Sequence, residues 1–396
     1  MRLPEVEEHS LAVQCDWRDR LGEEGGTAWV SYKTAGRAGE QDTLVAGGAG
    51  SLISRAELFR AELLPCGGLQ VEHCSTGVVT TFLAAGTEHA ALRGGAAVTG
   101  LAASAGGLGL AGGGNAVTVW DTESGQGRRK LQGHLADIYT VRLFPSGLVA
   151  LTAGADMQLR IWNLQTGSCP VVLSGHTRAI TDTAIIDRGK NVISVGKDGT
   201  ARLWSCGEQR CLAALYSGQQ ELNCCSLAPA LQTEWAGEVT AASPDQDPAE
   251  VGSVGQLLAV GGEEGVAVVC VAGRAVLHWA STPSPVTATA WLGGRVWAGC
   301  LDGKLLSIGR GGRVEGEASS SPVLALSAVG PACLAVARQD GSVTLHGPAG
   351  RTIGLSGPDT EPVYSLATDA SHLYTGCRDG LVRRYSLATI NQILKL

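Results

Sequence analysis

The chain has 396 residues, 44% of them apolar and 17% charged, with a formal net charge of −7. This excludes a disordered chain, which would be poor in apolar residues and rich in charge, and it argues against sequence-independent nucleic-acid binding, which needs a basic footprint. No apolar run approaches the ~20 residues that span a bilayer, so no membrane role is expected.

Glycine contributes 56 residues, about twice its usual share of ~7%. Together with many short apolar runs, this reads as strands and tight turns rather than long helices. The opening MRLPEVEEHS carries Glu5, Glu7 and Glu8 and lacks the basic head and apolar stretch of a signal peptide. The twelve cysteines form no C-x-x-C pair, and Cys224 and Cys225 are adjacent. They read as reduced thiols of a cytosolic or nuclear protein, packed as small apolar residues. No metal site is expected.

Residues 1–88 show no internal repeat. Ser10 to Leu21 are expected to form a short helix containing Trp17. Trp29 and the run Leu44-Val45-Ala46 are expected in strands, giving a small N-terminal domain over 1–88. Residues 1–89 carry 7 basic and 13 acidic side chains.

From residue 90 a repeat organises the chain. His134 to His176, Asp156 to Asp198 and Trp162 to Trp204 are each 42 residues apart, and Trp120-Asp121 lies 42 residues before Trp162. A period of 40–45 residues with Gly-His and Trp-Asp marks is the signature of WD40 repeats, one propeller blade each. Further on, Glu264-Gly265, Asp302-Gly303, Asp340-Gly341 and Asp379-Gly380 follow at spacings of 38, 38 and 39. With Asn115, Asp156 and Asp198 they make seven turn marks. The expected fold is all-β, a seven-bladed WD40 β-propeller over 90–396. Val78–Leu83 is expected to close the ring as a strand near 78–84, the outer strand of the last blade, because a free edge invites aggregation. The 66-residue gap from Asp198 to Glu264 implies an acidic insert near 230–252, with the turn-rich string Ala241 to Pro248 inside it.

His134, Thr152, Asp156 and Trp162 match the spacing of the WD40 structural tetrad, as do His176, Ser194, Asp198 and Trp204. A His-Asp-Ser set also suits a hydrolase triad. The set recurs 42 residues on, which an active site would not. Gly107 to Gly112 matches G-x-G-x-x-G, but a strand, Val117 to Trp120, follows where a dinucleotide site needs a helix. No cofactor, catalytic residue or enzymatic activity is expected. Gly154, Gly196, Gly262, Cys300 and Cys377 share one repeat position, a slot for a small buried side chain. Arg378, Arg383 and Arg384 are expected on a solvated strand face.

Residues 211–273 hold eight carboxylates and no Lys or Arg. Glu234, Glu238, Asp245, Asp247 and Glu250 are therefore expected to recruit a basic partner; the alternative is a loop kept charged for solubility. Failing these, contacts are expected at the blade-top loops near Asp137, Asp359 and Glu361.

Residues 134–162, 176–207 and 361–387 resemble the proteasomal ATPase-associated factor family, with Asp187 to Val192 and Cys377 to Tyr385 the most specific strings. Arg93-Gly94 stands where a Gly-His would be expected, and 1–88 and 211–360 match weakly. The resemblance implies a non-enzymatic assembly chaperone, monomeric when free, in the cytoplasm and nucleus. It would bind the C-terminal domains of proteasome regulatory-particle ATPase subunits, promote base assembly and oppose premature association with the core particle. The alternative is a WD40 scaffold or substrate-recognition subunit of another complex, such as a ubiquitin ligase.

Overall fold

The computed structural model describes residues 9–34, 39–47, 51–90, 95–229, 232–235, 246–310, 314–317, 319, 321–357 and 360–395. Seven antiparallel sheets stand around a central channel. Their inner strands are Gly100–Ala103, Ile138–Leu143, Ile180–Ile186, Leu222–Pro229, Val286–Leu292, Val323–Val329 and Val363–Thr368. Each inner strand packs against the next, and the seventh against the first, so the ring is closed. The chain is a seven-bladed β-propeller, and the blades are numbered here in that order. All seven acidic or Asn turn marks sit between the second and third strands of a blade. In blade three the turn is Asp198-Gly199, where Gly199 has φ +75° and a Cβ would lie 2.5 Å from the Gly218 carbonyl.

Polar side chains tie neighbouring inner strands together. The Thr99 hydroxyl donates to the Ile138 carbonyl at 2.6 Å, Thr181 to that of Leu222 at 2.8 Å, and the Asn223 amide to that of Val286 at 3.0 Å. Ser365 closes the circuit from blade seven to the Val98 carbonyl at 3.2 Å. These side-chain donors stitch neighbouring blades together across the ring.

The N-terminal residues build two further layers. One is a four-stranded sheet, His9–Val13, Thr27–Thr34, Glu40–Ala46 and Leu52–Ser54, outside the ring. The other, Phe59–Leu63, Leu69–His73 and Val79–Ala84, is fused to blade six, because Val79–Ala84 pairs in parallel with its outer strand Thr352–Ser356. Val30, Leu44, Phe59, Leu69 and Phe82 fill the core between the layers. The Trp17 indole, fully buried, donates to the Ser356 hydroxyl at 2.7 Å and anchors this unit to the ring. At the other end Ser386 caps a helix, Leu387–Leu394, whose Ile390 and Leu394 enter the core of blades six and seven.

Three expectations are corrected. The helix spans only Trp17–Arg20, because Ser10 to Val13 pair as a strand with Val30 to Lys33. The closing strand of blade seven is Thr87–His89, not the segment near 78–84; it pairs with Val382 to Arg384. The apolar Val79–Ala84 instead finds Ile353 and Leu355, whereas the polar Thr87–His89 brings Glu88 to Arg383 at 2.7 Å. Arg383 is consequently buried between Glu88 and Asp379 rather than solvated.

Candidate interaction surface

Both tetrads form. The Trp204 indole N–H donates to Ser194 Oγ at 2.8 Å, Ser194 Oγ lies 2.6 Å from His176 Nε2, and His176 Nδ1 lies 2.8 Å from Asp198 Oδ2. In blade two Trp162, Thr152, His134 and Asp156 repeat the chain at 2.8, 2.7 and 2.8 Å. One proton order satisfies every member: Trp N–H to hydroxyl, hydroxyl O–H to Nε2, and Nδ1–H to carboxylate. The imidazole is then neutral. Burial pushes both histidines below their usual pKa, only partly offset by the hydrogen bond to Asp156 or Asp198. Burial raises the Asp198 carboxyl, but hydrogen bonds from the Thr177 N–H, Thr200 and His176 outweigh it and hold it low.

These shifts set an acid limit on stability. The unfolded chain takes up histidine protons below about pH 6.5, while the folded imidazoles resist them. The contribution is complete above that pH and falls as pH drops from there to the lower folded values. Asp198 adds a second loss below about pH 3.8 as its carboxylate is protonated. Denaturant unfolding is expected to show falling stability from pH 7 to pH 5; a flat profile would contradict the neutral tetrad.

Blade one lacks the hydroxyl. Ala111 occupies the register position of Thr152 and Ser194, and the buried Trp120 indole N–H has no acceptor among the described residues. Ala111→Ser is expected to supply that acceptor and stabilise by about 1 kcal/mol, read as a raised Tm. An unchanged or lower Tm would show that the serine does not reach the indole. In the G-x-G-x-x-G string a Cβ on Gly109 would lie 2.3 Å from Trp120, so Gly109 makes room for the indole, while one on Gly112 would meet Val141 at 2.6 Å.

The tetrad side chains hydrogen-bond one another inside the blades, which leaves the ring's faces and channel as the surfaces open to recognition. A cavity of about 150 Å³ along the channel is lined from all seven inner strands. In it Arg142 Nη2 contacts Asp182 Oδ1 at 2.9 Å, and Asp182 Oδ2 accepts from the Cys225 N–H at 3.0 Å. Among the described residues no three His, Cys, Asp or Glu side chains gather to hold a metal, and no helix is long and apolar enough to cross a membrane. No disulfide joins any of the twelve cysteines, and burial pushes the Cys300, Cys333 and Cys377 thiols up to about 11, which makes them poor nucleophiles.

The acidic candidates divide between opposite faces. Asp137 and Glu361 lie on the face carrying the acidic turns and the links between blades; Asp137 is exposed and Glu361 faces Arg378 at 3.8 Å. The insert joins the first two strands of blade four and therefore projects from the other face. Its described carboxylates are paired within the chain. Glu234 accepts from the Arg310 N–H at 2.9 Å, with Arg295 at 3.5 Å. Asp247 meets Arg210 at 2.7 Å, and the buried Glu250 meets Arg274 at 3.1 Å. Glu250 therefore anchors the loop and cannot be a recruiting charge. Glu238, Asp245 and Asp359 lie outside the described residues, as does most of the string Ala241 to Pro248.

The family described as WD domain, G-beta repeat matches residues 125–163 and 167–205, which contain the Thr152 and Ser194 positions of the complete tetrads. The human protein named Proteasomal ATPase-associated factor 1 is 34% identical over 394 residues, 96% of this chain and 99% of its own length. The chain belongs to the proteasomal ATPase-associated factor 1 family. The Bos taurus member is 34% identical over 393 residues, again 96% of this chain and 99% of its own. The Gallus gallus member matches over 144 residues at 29%, covering 35% of this chain.

In this family member sequence reasoning missed the residues that fasten the insert. The buried Asn191 of blade three donates to the Ala249 carbonyl at 3.1 Å and accepts from the Val251 N–H at 2.6 Å. Arg210 and Arg274 were legible, for they bound the 63-residue stretch that has no base of its own. Also missed were Tyr216 and Trp279, stacked across the rim of blades three and four.

Proposed function

We propose that this protein is a non-catalytic assembly chaperone. It would hold the C-terminal domain of a proteasome regulatory-particle ATPase subunit, favour assembly of the base, and delay its docking onto the core particle. The single observation that carries this reading is the 34% identity to Proteasomal ATPase-associated factor 1 across 96% of the chain. The name of those relatives describes a factor associated with the proteasomal ATPases. A closed ring of strands with loops on two faces suits a rigid protein-binding platform. We place its action in the cytoplasm and nucleus, as a monomer when free.

Affinity purification with identification of co-purifying subunits tests the proposal. Base ATPases without core-particle subunits are the expected result. Recovery of a cullin or its adaptors in their place would favour a substrate-recognition scaffold and overturn the chaperone reading.

A further inference from the structure

Between blades three and four, on the rim of the acidic-turn face, lies a pocket of about 30 Å³. Its walls are Tyr216, from the outer strand Arg210–Ser217, and Trp279, from the outer strand Ala275–Ser281. The two rings are parallel to within 1°, with centroids 6.4 Å apart. Buried Leu222 and Val260 form the floor, and Glu221, Glu263 and Glu264 stand around the mouth. Trp279 remains 41% exposed, a large indole face left open to solvent.

The three carboxylates are not equivalent. Glu221 is engaged by Arg178 at 2.6 Å and Lys197 at 3.4 Å. Glu263 accepts from the Asn223 amide at 3.3 Å. Glu264 is exposed and makes no side-chain hydrogen bond or ion pair among the described residues. It lines the same pocket as the Tyr216 ring, whose phenol is pushed upward by burial first and by the Glu264 charge second. An open indole face beside an unspent carboxylate favours a cation, which the ring quadrupole attracts within about 6 Å. A compact ammonium with its last methylene suits a slot of this size.

We propose that this slot receives the ε-ammonium of a lysine from a partner protein, with Trp279 giving the π face and Glu264 the counter-charge. Identifying that partner as a proteasomal ATPase rests on the function proposed above; the slot chemistry does not.

The test has two arms. In the first, Nα-acetyl-lysine methylamide is titrated into isotopically labelled protein, and the Trp279 indole N–H, assigned by its loss in Trp279→Phe, is followed by NMR. The lysine compound is expected to shift that signal, and Glu264→Gln to weaken the effect about 5-fold or more. An equal shift with the uncharged norleucine analogue would overturn the cation site, and a tighter arginine analogue would overturn the lysine assignment. In the second arm, binding of an ATPase C-terminal domain is compared among the parent, Trp279→Ala and Glu264→Gln, all with matched thermal melts. A loss of about 5- to 30-fold is expected in both variants. Undiminished binding in both would overturn the slot while leaving the function standing. Failure of the parent to bind any ATPase domain, with the lysine response intact, would sink the function and leave the slot.

Discussion

Trp204→Ala is expected to destabilise the protein by about 3–5 kcal/mol, the cost of deleting a large, fully buried aromatic. The indole is 1% exposed, packs among Leu159, Ile180 and Val192, and lies 6.0 Å from the His176 ring. Its removal also strips Ser194 of a donor. Domains hold only about 5–15 kcal/mol in total, so the loss should appear as a large drop in the denaturation midpoint. Asp198→Ala should cost less, about 1–3 kcal/mol, because His176 and the Thr177 N–H lose an acceptor but no cavity of comparable size opens. If either variant melted with the parent yet lost partner binding, the tetrad would be a recognition site and the structural reading would fail.

Arg274→Ala should cost about 3–5 kcal/mol for a different reason: it leaves a buried charge unpaired. The Glu250 side chain is fully enclosed, and Arg274 is the cation that meets it. The double variant Arg274→Ala/Glu250→Gln should recover most of the loss, since the residual amide carries no charge. A single variant as stable as the parent at pH 7 would show that the insert is not anchored by this pair.

The ring was legible because its punctuation is local. Asp156, Asp198, Glu264, Asp302, Asp340 and Asp379 each mark one hairpin, and a hairpin is specified by a few adjacent residues. The tetrads were legible for a related reason: the two complete copies sit at identical spacing. The parts that were missed depend on pairings across the chain. Arg383 looks like a solvated strand residue until Glu88, 295 positions away, comes to lie beside it. Val79–Ala84 and Thr87–His89 are both plausible edge strands, and only the surfaces of blades six and seven decide which joins which. The five acidic side chains of the insert resembled a charged patch, yet Glu234, Asp247 and Glu250 each meet an arginine brought in by folding. The slot at Tyr216 and Trp279 left no motif at all, because its two aromatic walls belong to neighbouring blades.

The origin of the closing strand has a consequence for synthesis. Thr87–His89 leaves the ribosome well before Val382 to Arg384, the strand it must complete. At about 5–20 residues per second, the roughly 295-residue separation between Glu88 and Arg383 corresponds to about 15–60 s of translation. Through that interval blades one to five can form as hairpins in order of emergence, while the first and last edges stay unpaired. A nascent chain stalled before residue 382 would carry six nearly finished blades and two open edges, the state most exposed to pairing with a neighbouring chain. Ring closure is thus a late step that waits for Val382 to Arg384, and translation products that stop before them should be cleared or aggregate rather than persist as partial rings.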